Sequence, residues 1–493
     1  MILTLWRWRA TVMASGVTLL AAVLRFADLA HPRALVFDEV YYVRGAYSLL
    51  TMGYEGNWGD DNDHFAQGDF SDLETEGDYV VHPMVGKLLI AAGMKLFGNG
   101  PFGWRFAGAL LGTVTVLIVA LLMRRIMKST MWGGVAGLLL AIDGLHIVMS
   151  RTAILDVFLT FFVVAGFALL WLDRWRAQRI YDAHPADTVG GFGPRVGIRC
   201  WRLLALVTFG LATGVKWSGL YFAAAFMVLF VVLDAGDRKA AGYRHWLSAA
   251  ALRSALPGLL ATLVVLPTVY VAQWANWFAT DGSYRRHWAE DHPGEGVTWL
   301  PDPLRSLWSY HVSMYNFHKD LESPHPWESH PAGWIIQFRP TSFFFERIED
   351  ARCLGDNCAQ AITSVGNPFI WWMGLAALCF GIWRFLVHKD RLGIVLAVGI
   401  FISWLPWIPY AHRTIFTFYA VTMVPFVVMT LTWGLQRFAQ PDWLEGRFSR
   451  RRSLAVGWFL VAAIAVSAFF FPVWTGQSIP DWYRTIHVWL PTW

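Results

Sequence analysis

The sequence GWRFAGALLGTVTVLIVALLM, residues 103–123, decides the fold class of this chain. A run of this length, with Arg105 as its only charged residue, is long enough to cross the hydrocarbon core of a bilayer as a helix. The whole chain of 493 residues has the same character, with 56% hydrophobic residues, 15% charged residues and a mean hydropathy of +0.41. This composition is typical of a membrane protein and excludes the water-soluble globular class.

Similar apolar runs recur along the chain and predict an all-α polytopic membrane protein with about eleven transmembrane helices. They cover residues 11–27, 103–123, 131–149, 153–172, 203–216, 218–235, 255–277, 366–387, 391–408, 414–435 and 454–473. If every run crosses, the basic clusters between them share one side, which the positive-inside rule makes cytoplasmic. The net charge of +5 therefore indicates orientation and not a nucleic-acid partner. We expect the N-terminus inside and the C-terminus outside.

Two long segments then lie outside, at residues 28–102 and 278–365. Apolar residues recur at helical spacing between Val40 and Leu50 and between Val85 and Leu96. This spacing predicts two amphipathic helices that lie in the membrane interface. The acidic middle of the first segment is expected to be solvated and loosely ordered. We expect residues 1–493 to form a single membrane domain.

The four cysteines differ in their predicted surroundings. Cys353 and Cys358 lie in the second outer segment, where an oxidising compartment permits a disulfide, and we predict that they form one. Cys200 is predicted at a cytoplasmic edge and Cys379 within a span, so both are expected to be inert thiols.

The stretch Phe37-Asp38-Glu39-Val40-Tyr41-Tyr42 follows the first apolar run and holds two adjacent acids. Neighbouring carboxylates repel each other and resist desolvation, so a purely stabilising role is disfavoured. The alternative is that they cap the interfacial helix that begins near Val40, where negative charge suits the helix N-terminus. A cap needs one acid only, and the pair therefore favours a catalytic role.

Seven motifs along the chain occur in the order found in one enzyme family. They are Asp38-Glu39; His82-Pro83-Met84-Val85-Gly86-Lys87; Trp104-Arg105-Phe106; Ser150-Arg151 with Leu155-Asp156; Gly214-Val215-Lys216-Trp217-Ser218-Gly219; Gly366-Asn367-Pro368 with Trp371-Trp372; and Arg413-Thr414-Ile415-Phe416 with Phe418-Tyr419. In this order and over nearly the whole length, the chain resembles the protein O-mannosyltransferases, and most closely their bacterial, actinobacterial members. The resemblance implies a membrane glycosyltransferase of the GT-C type.

The chain departs from eukaryotic members of the family at two places. Those members insert a lumenal β-trefoil repeat domain in the second outer segment, and residues 278–365 are too few to hold it. They also usually have His-Tyr where this chain has Phe418-Tyr419. Both differences concern the choice of acceptor.

The resemblance implies that mannose is transferred from polyprenyl-phosphate mannose to Ser or Thr hydroxyls of exported proteins, with inversion, at the outer face of the plasma membrane. A hydroxyl acceptor needs a base, and we expect Asp38 to fill that role while Glu39 places the acceptor or shares the proton. The expected partners are the lipid-linked donor, the exported polypeptide and membrane lipids, and docking at the secretion translocon is a further expectation.

The phosphate leaving group requires cations that stabilise its developing charge. Arg105 is the first candidate because its planar guanidinium can hold phosphate oxygens bidentately. Lys216 and Arg413 are further candidates. The alternative for both arginines is an interfacial side chain that reaches to lipid headgroups, and for Lys216 it is an anchor of the turn between two spans.

Five residues are expected to support the site or to contact the acceptor, and each has a structural alternative. The alternative for His82 is the start of the second interfacial helix, and the alternative for Lys87 is an ordinary interfacial lysine. Arg151 and Asp156 are expected to form an ion pair between helices and to orient the Asp38 loop. Arg339 resembles a family residue on the acceptor side. Gly366-Asn367-Pro368 is expected to start a helix, with Asn367 near the cap.

No cofactor and no metal are expected, because a monophosphate leaving group carries less charge than a pyrophosphate and the two acids are adjacent instead of spaced as Asp-x-Asp. One alternative is an enzyme of the same architecture that glycosylates a lipid or glycan acceptor. A transporter is the alternative from another class. It is disfavoured because transporters place ionisable residues near the bilayer midplane, whereas here they cluster at the outer ends of the predicted spans.

Overall fold

The structure, a computed structural model, describes residues 2–59, 64–186, 190–348, 357–440 and 448–493. The described chain is mostly helical with little sheet, which confirms the predicted helical membrane class. The helices are α1 Ile2–Phe26, α2 Glu39–Thr51, α3 Val85–Phe97, α4 Pro101–Ile126, α5 Thr130–Ala141, α6 Gly144–Arg151, α7 Asp156–Asp182, α8 Cys200–Val215, α9 Gly219–Ala240, α10 Trp246–Ala250, α11 Leu256–Ala272, α12 Ala275–Ala279, α13 Trp288–Asp291, α14 Asp302–Asp320, α15 Pro368–His388, α16 Leu392–Trp404, α17 Val424–Ala439, α18 Arg450–Thr475 and α19 Asp481–Thr485.

Nine helical segments within the described residues are long and apolar enough to cross a membrane. They are Trp8–Phe26, Pro101–Ile126, Asp156–Asp182, Gly219–Ala240, Trp246–Ala272, Pro368–His388, Leu392–Tyr410, Thr417–Ala439 and Arg450–Thr475. The pair α5 and α6, bent by 60°, makes a tenth candidate. The remaining predicted run, residues 203–216, corresponds to α8, which at 16 residues is shorter than these spans. The count of eleven therefore stays a prediction.

The two helices predicted in the first outer segment are present as α2 and α3. Along α2 the buried side chains include Tyr42, Val43, Ala46 and Leu49, at the three- and four-residue spacing of one helix face. Their location at the membrane interface stays a prediction.

Two small sheets form in segments for which only helices and loops were predicted. Strands β1 Gly56–Trp58 and β2 Leu73–Gly77 pair antiparallel in the first outer segment. This pairing corrects the expectation that the middle of that segment is loosely ordered. A second antiparallel sheet has the order β3 Ser342–Ile348, β4 Cys358–Thr363 and β5 Ile479–Pro480. Its last strand comes from the far end of the chain, and sequence periodicity carries no information on such a partner.

The structure describes only one of the two cysteines of the predicted disulfide. Cys358 is disulfide-bonded, and Cys200 and Cys379 are free thiols. Cys353, the predicted partner of Cys358, lies outside the described residues. The pairing of Cys353 with Cys358 therefore stays a prediction.

The chain forms two compact units. The first contains Met1–Val81, Lys87–Val157 and Asn276–Trp493, and the second contains His82–Gly86 and Phe158–Ala275. That all 493 residues act as a single membrane domain stays a prediction.

A buried polar centre in the first unit stabilises the break between α5 and α6. Asp143 caps α6, because its Oδ1 accepts a hydrogen bond from the backbone N–H of His146 at 3.1 Å. Its Oδ2 accepts from the backbone N–H of Asn367 at 3.2 Å and from Trp371 Nε1 at 3.0 Å. On the other side of the break, Arg25 donates to carbonyl oxygens at the end of α5. Both helix ends thus find partners inside the protein, as a membrane interior requires.

Asn367 connects three helices at this centre. Its side-chain oxygen accepts from the backbone N–H groups of Phe369 and Ile370 in the first turn of α15, at 3.0 and 3.3 Å. Its side-chain nitrogen donates to Ala463 O at 2.8 Å and Ser467 Oγ at 2.7 Å in α18. This confirms the prediction that Asn367 caps a helix. It also adds a contact between spans that the sequence did not indicate.

Asn367→Ala is expected to reduce the free energy of unfolding by about 1–3 kcal/mol, because the cap of α15 and two bonds to α18 are lost. The measurement is denaturation of the purified protein in detergent. Ser449→Ala is the matched control, since Ser449 is the N-cap residue of α18 but makes no side-chain cap hydrogen bond. Equal effects of the two substitutions would contradict the role of Asn367.

Candidate active site

The side chains of the two adjacent acids point in different directions at the start of α2. Asp38 is the N-cap residue and Glu39 is the first helical residue. Because successive helical residues point about 100° apart, the two carboxylates have different surroundings: Glu39 is fully buried and Asp38 is half-buried. Asp38 makes no side-chain cap hydrogen bond to α2 within the described chain, although both acids lie at the helix N-terminus, where negative charge is favourable.

The Glu39 carboxylate is held by four hydrogen bonds. Its Oε1 accepts from Arg105 Nε at 2.9 Å and from the backbone N–H of Ala153 at 2.9 Å. Its Oε2 accepts from Arg105 Nη2 at 2.9 Å and from the backbone N–H of Val36 at 3.0 Å. A carboxylate that is this well hydrogen-bonded is stabilised in its charged form and fixed in position.

The hydrogen-bond donors of Arg105 are also fully used. Besides Glu39, its guanidinium donates to the carbonyl oxygens of Leu29, Pro32 and Ala34, at 3.3, 3.0 and 2.9 Å. These contacts use all five N–H donors of the side chain, and Arg105 is only 1% exposed. The geometry therefore argues against the predicted role of Arg105 as a phosphate ligand. It makes Arg105 the residue that holds the loop before Asp38.

An aromatic cluster fixes the residue next to Asp38. Phe37 has a φ of +48°, a left-handed conformation that is uncommon for a residue with a large side chain. Its ring stacks on Phe343 at 4.9 Å between centroids and meets the edges or faces of His325, Phe416 and Phe418 at 5.5–5.9 Å. The ring contacts hold the backbone in this unusual conformation and so set the direction in which Asp38 leaves the loop.

Asp38 lies close to a second carboxylate and two phenols. Burial raises the pKa of Tyr42 well above its usual value, and the negative charges of Asp38 and Asp156 raise it further. Tyr42 is therefore a neutral hydrogen-bond donor near two acids. The charges of Asp38 and Asp156 also act on the hydroxyl of Tyr419. Asp156, the first residue of α7, is 3% exposed.

Arg413 is a cation close to the group formed by Asp38, Asp156 and Tyr419. Its charge, like those of Asp38 and Asp156, acts on the Tyr419 hydroxyl. Its Nε is buried and has no hydrogen-bond partner among the described residues. Burial lowers the pKa of Arg413, which means that its charge is incompletely compensated. An anion placed there gains both a charge partner and a donor.

Two of the predicted residues belong to the second unit. His82 is half-buried and lies just before α3. Lys216 is mostly buried and follows the last residue of α8, where its backbone N–H bonds to Ala212 O. Their predicted roles at the donor or acceptor stay predictions.

Lys87 is not an exposed interfacial lysine. It is fully buried in an ion pair with Glu55, which is 5% exposed. Burial raises the pKa of Glu55 and lowers that of Lys87, while the mutual attraction of the two charges opposes both shifts. Because Glu55 follows α2 and Lys87 belongs to α3, the pair joins the two helices of the first outer segment.

The contacts of Arg151 and Arg339 are to main-chain oxygens. Arg151 donates to the carbonyl oxygens of Arg25, Ala27 and Asp28 at 3.0, 2.7 and 2.9 Å, and so caps the end of α1. Arg339 is exposed and donates to Pro326 O at 2.8 Å. Arg151 thus supports the loop that leads to Asp38, and the acceptor-side role of Arg339 stays a prediction.

Sequence reasoning missed three residues of this arrangement. Tyr42 follows Asp38 by four residues, and this helical spacing could have indicated that both lie on one face. Phe37 and Tyr419 carried no comparable signal, because their partners come from distant segments. Among the described residues there is no group of three or more His, Cys, Asp or Glu side chains placed to hold a metal ion. Metal independence stays a prediction.

The fold is that of a known class of membrane enzymes. The solved structure of the Saccharomyces cerevisiae protein O-mannosyltransferase complex bound to the sugar donor matches with a TM-score of 0.73. The match covers 98% of this chain and 92% of that chain at 14% identity. At this identity the likeness shows the fold alone, and the chain has the fold of that membrane enzyme.

Sequence comparison identifies the family. The model for dolichyl-phosphate-mannose-protein mannosyltransferase matches residues 100–269, and that for the C-terminal four-transmembrane region of protein O-mannosyltransferase matches residues 303–493. The polyprenol-phosphate-mannose–protein mannosyltransferase of Mycobacterium tuberculosis is 38% identical over 99% of this chain and 92% of its own length. That of Corynebacterium glutamicum is 31% identical over 99% of this chain and 94% of its own length. The chain belongs to the protein O-mannosyltransferase family and is a mannosyltransferase.

Arg105→Ala is expected to reduce the free energy of unfolding by about 3–5 kcal/mol, because Glu39 would remain charged and buried without its partner. The measurement is unfolding in detergent, compared with Arg33→Ala, which removes an exposed arginine from the same loop. Arg105→Lys keeps the charge but loses the bidentate contact, and should give an intermediate value. An Arg105→Ala protein of normal stability with weakened donor binding would restore Arg105 as a phosphate ligand.

Proposed function

We propose that this enzyme transfers mannose from polyprenyl-phosphate mannose to Ser or Thr hydroxyls of exported polypeptides, with inversion at the anomeric carbon. The relatives that match 99% of the chain are named for a polyprenol-phosphate-mannose donor and a protein acceptor. We propose the same donor and the same class of acceptor for this chain. The reaction takes place at the outer face of the plasma membrane, where a polypeptide that leaves a secretion channel presents its hydroxyl groups.

One observation supports the assignment of the base: of the two adjacent acids, only Asp38 is left at the surface of the site. The Glu39 carboxylate is occupied by Arg105 and two backbone N–H groups. Asp38 is half-buried beside Tyr42 and Tyr419. A base needs access to the acceptor hydroxyl, and Asp38 meets this requirement better than Glu39.

The proposed step moves one proton and one glycosyl group. The acceptor oxygen attacks the anomeric carbon of mannose while Asp38 takes the hydroxyl proton. The bond between the anomeric carbon and the phosphate oxygen breaks, and its electron pair leaves with polyprenyl phosphate. Attack from the side opposite the leaving group inverts the anomeric centre. Glu39 acts as a positioning residue through Arg105, in place of the acceptor contact that its sequence suggested.

In this proposal Arg413 stabilises the negative charge that develops on the leaving phosphate. Its buried Nε lacks a partner among the described residues, whereas the donors of Arg105 are all used. Donors that are already in place stabilise such a charge without reorganisation. Lys216 remains a second candidate cation. The proposal includes no metal or cofactor, because a cation and a carboxylate supply the two functions that the step requires.

A second candidate function is transfer of the sugar to a lipid or glycan, which differs from the proposed function in its acceptor. An enzyme of this architecture that glycosylates a lipid or glycan would use the same donor chemistry. The protein acceptor is preferred because the relatives that match almost the whole chain are named for it. An assay with labelled polyprenyl-phosphate mannose and a Thr-rich peptide tests the choice, and transfer to lipid alone would contradict it.

Asp38→Asn is expected to lower turnover by about a hundredfold or more, since the substituted amide cannot accept the proton. Donor affinity should remain close to that of the wild type, because Asp38 does not contact the phosphate in this mechanism. The measurement is peptide mannosylation together with donor binding. Glu76→Gln, which neutralises an exposed acid of the first outer segment, is the control. Near-normal turnover in Asp38→Asn would disprove the assignment.

Arg413→Gln is expected to weaken donor binding about tenfold or more and to lower turnover further, because the charge on the leaving phosphate grows during the step. Arg413→Lys should recover part of the loss. Arg391→Gln, an exposed arginine before α16, is the control for the change in net charge. If Arg413→Gln retains donor affinity while Lys216→Gln loses it, Lys216 is the phosphate ligand.

A further inference from the structure

A second group of buried charges lies in the second unit, in a different unit from Asp38. We call it the arginine cluster, and it consists of Arg199, Arg202, Arg238, Arg253, Asp173 and Asp234. These residues come from the later part of α7, the start of α8, the last two turns of α9 and the segment between α10 and α11. Four segments of the second unit therefore contribute charges to one place.

The acids of the arginine cluster are shared among the arginines. Asp173 Oδ2 accepts from Arg199 Nη2 at 2.7 Å and from Arg202 Nε at 3.2 Å. Asp234 accepts from Arg199 Nη1 at 3.2 Å and from Arg238 Nε at 3.0 Å. Arg253 joins the cluster at Phe192 O, which accepts from Arg238 Nη1 at 3.3 Å and from Arg253 Nη1 at 3.5 Å. Among these six residues, four arginines stand against two aspartates. The arginine cluster thus has a surplus of two positive charges.

Three donors of the arginine cluster are buried without a partner in the described chain: Arg199 Nε, Arg202 Nη2 and Arg238 Nη2. Arg202 is 3% exposed and Arg238 is fully buried. Asp173 Oδ1 also lacks a partner among the described residues, and with two lone pairs it can accept from at most two of the three. Buried guanidinium groups with unpaired donors and surplus charge are costly unless an anion completes the site.

A π-helical turn shapes one wall of the arginine cluster. Residues Ala251–Ala255 form this turn, a rare geometry that is frequent at functional sites. It presents Ser254, whose hydroxyl accepts from Arg199 Nη1 at 3.1 Å and from Arg202 Nη1 at 3.0 Å. The neighbouring Arg253 is half-buried; its Nη1 bonds to Gly193 O and its guanidinium stacks on the ring of Phe192 at 5.2 Å. Among the described residues, no hydrogen bond to Nε or Nη2 of Arg253 accompanies these contacts.

We propose that the arginine cluster binds the phosphate group of an anionic membrane phospholipid. A phosphate supplies the negative charge and the acceptor oxygens that the unpaired donors lack, and guanidinium groups bind it bidentately. The lipid source is favoured over free phosphate because large apolar side chains are exposed beside the cluster. Leu252 and Leu256, on either side of Arg253, are 58% and 48% exposed and offer a surface for acyl chains. The proposal does not depend on the sugar-transfer reaction.

The test measures lipid binding to the full-length protein in detergent, by native mass spectrometry and by the shift in melting temperature. Wild type is expected to bind phosphatidylglycerol about tenfold more tightly than phosphatidylcholine, as one or two charge-assisted hydrogen bonds predict. Arg253→Gln should lose about this factor for phosphatidylglycerol and leave phosphatidylcholine binding unchanged. Arg253→Lys, which keeps the charge, should lie between the two.

Arg174→Gln is the matched control. It also removes one positive charge from the end of α7, but Arg174 forms a separate pair with Asp237 at 2.8 Å. Its affinity for phosphatidylglycerol should stay within about twofold of wild type. Equal wild-type affinities for the two lipids, or unchanged phosphatidylglycerol binding in Arg253→Gln, would overturn the proposal. Stabilisation by inorganic phosphate equal to that by phosphatidylglycerol would assign the arginine cluster to free phosphate and refute the lipid.

Discussion

The ion pair between Glu39 and Arg105 is the interaction on which the candidate active site depends. Both side chains are removed from water, and each satisfies the other through two hydrogen bonds of 2.9 Å. Arg105 also gathers three carbonyl oxygens of the loop before α2. Such a pair adds little net stability compared with apolar residues of the same volume, but neither partner can be removed alone. It therefore fixes the direction of one loop, and with it the position of Asp38.

The sequence predicted the membrane class, the helices α2 and α3, and the cap at Asn367, because each leaves a local pattern of hydropathy or helix signals. It did not predict how Asp38 and Glu39 divide their roles. The partner of Glu39 is 66 residues away, and no local rule says which of two adjacent acids is buried. The pairing of β4 with β5 was missed for a similar reason, since β5 lies more than 100 residues further along the chain. Nonlocal pairing decides these features.

The aromatic cluster around Phe37 includes Phe418, one of the positions at which the sequence differs from the pattern of eukaryotic members of the family. At the position where the sequence resemblance implies His in eukaryotic members, this chain has Phe418, whose ring contacts Phe37 at 5.5 Å between centroids. Because Phe37 precedes Asp38, a change at Phe418 is expected to act on the proposed base through the ring contacts of Phe37. An apolar residue there also removes a titratable group from the neighbourhood of Asp38. The side chain at this position therefore contributes to the support of the loop that carries Asp38.

The break between α5 and α6 has a consequence for the biosynthesis of the protein. Asp143 enters the membrane during translation inside an otherwise apolar stretch, and a carboxylate there opposes insertion. The arginine at the end of α1 has already been synthesised and can accompany it. Two further donors to Asp143, Asn367 and Trp371, are more than 220 residues downstream and leave the ribosome much later. The early spans must therefore tolerate an incompletely satisfied acid until α15 is inserted, and the native polar centre can close only after α18, which binds Asn367, has also been made.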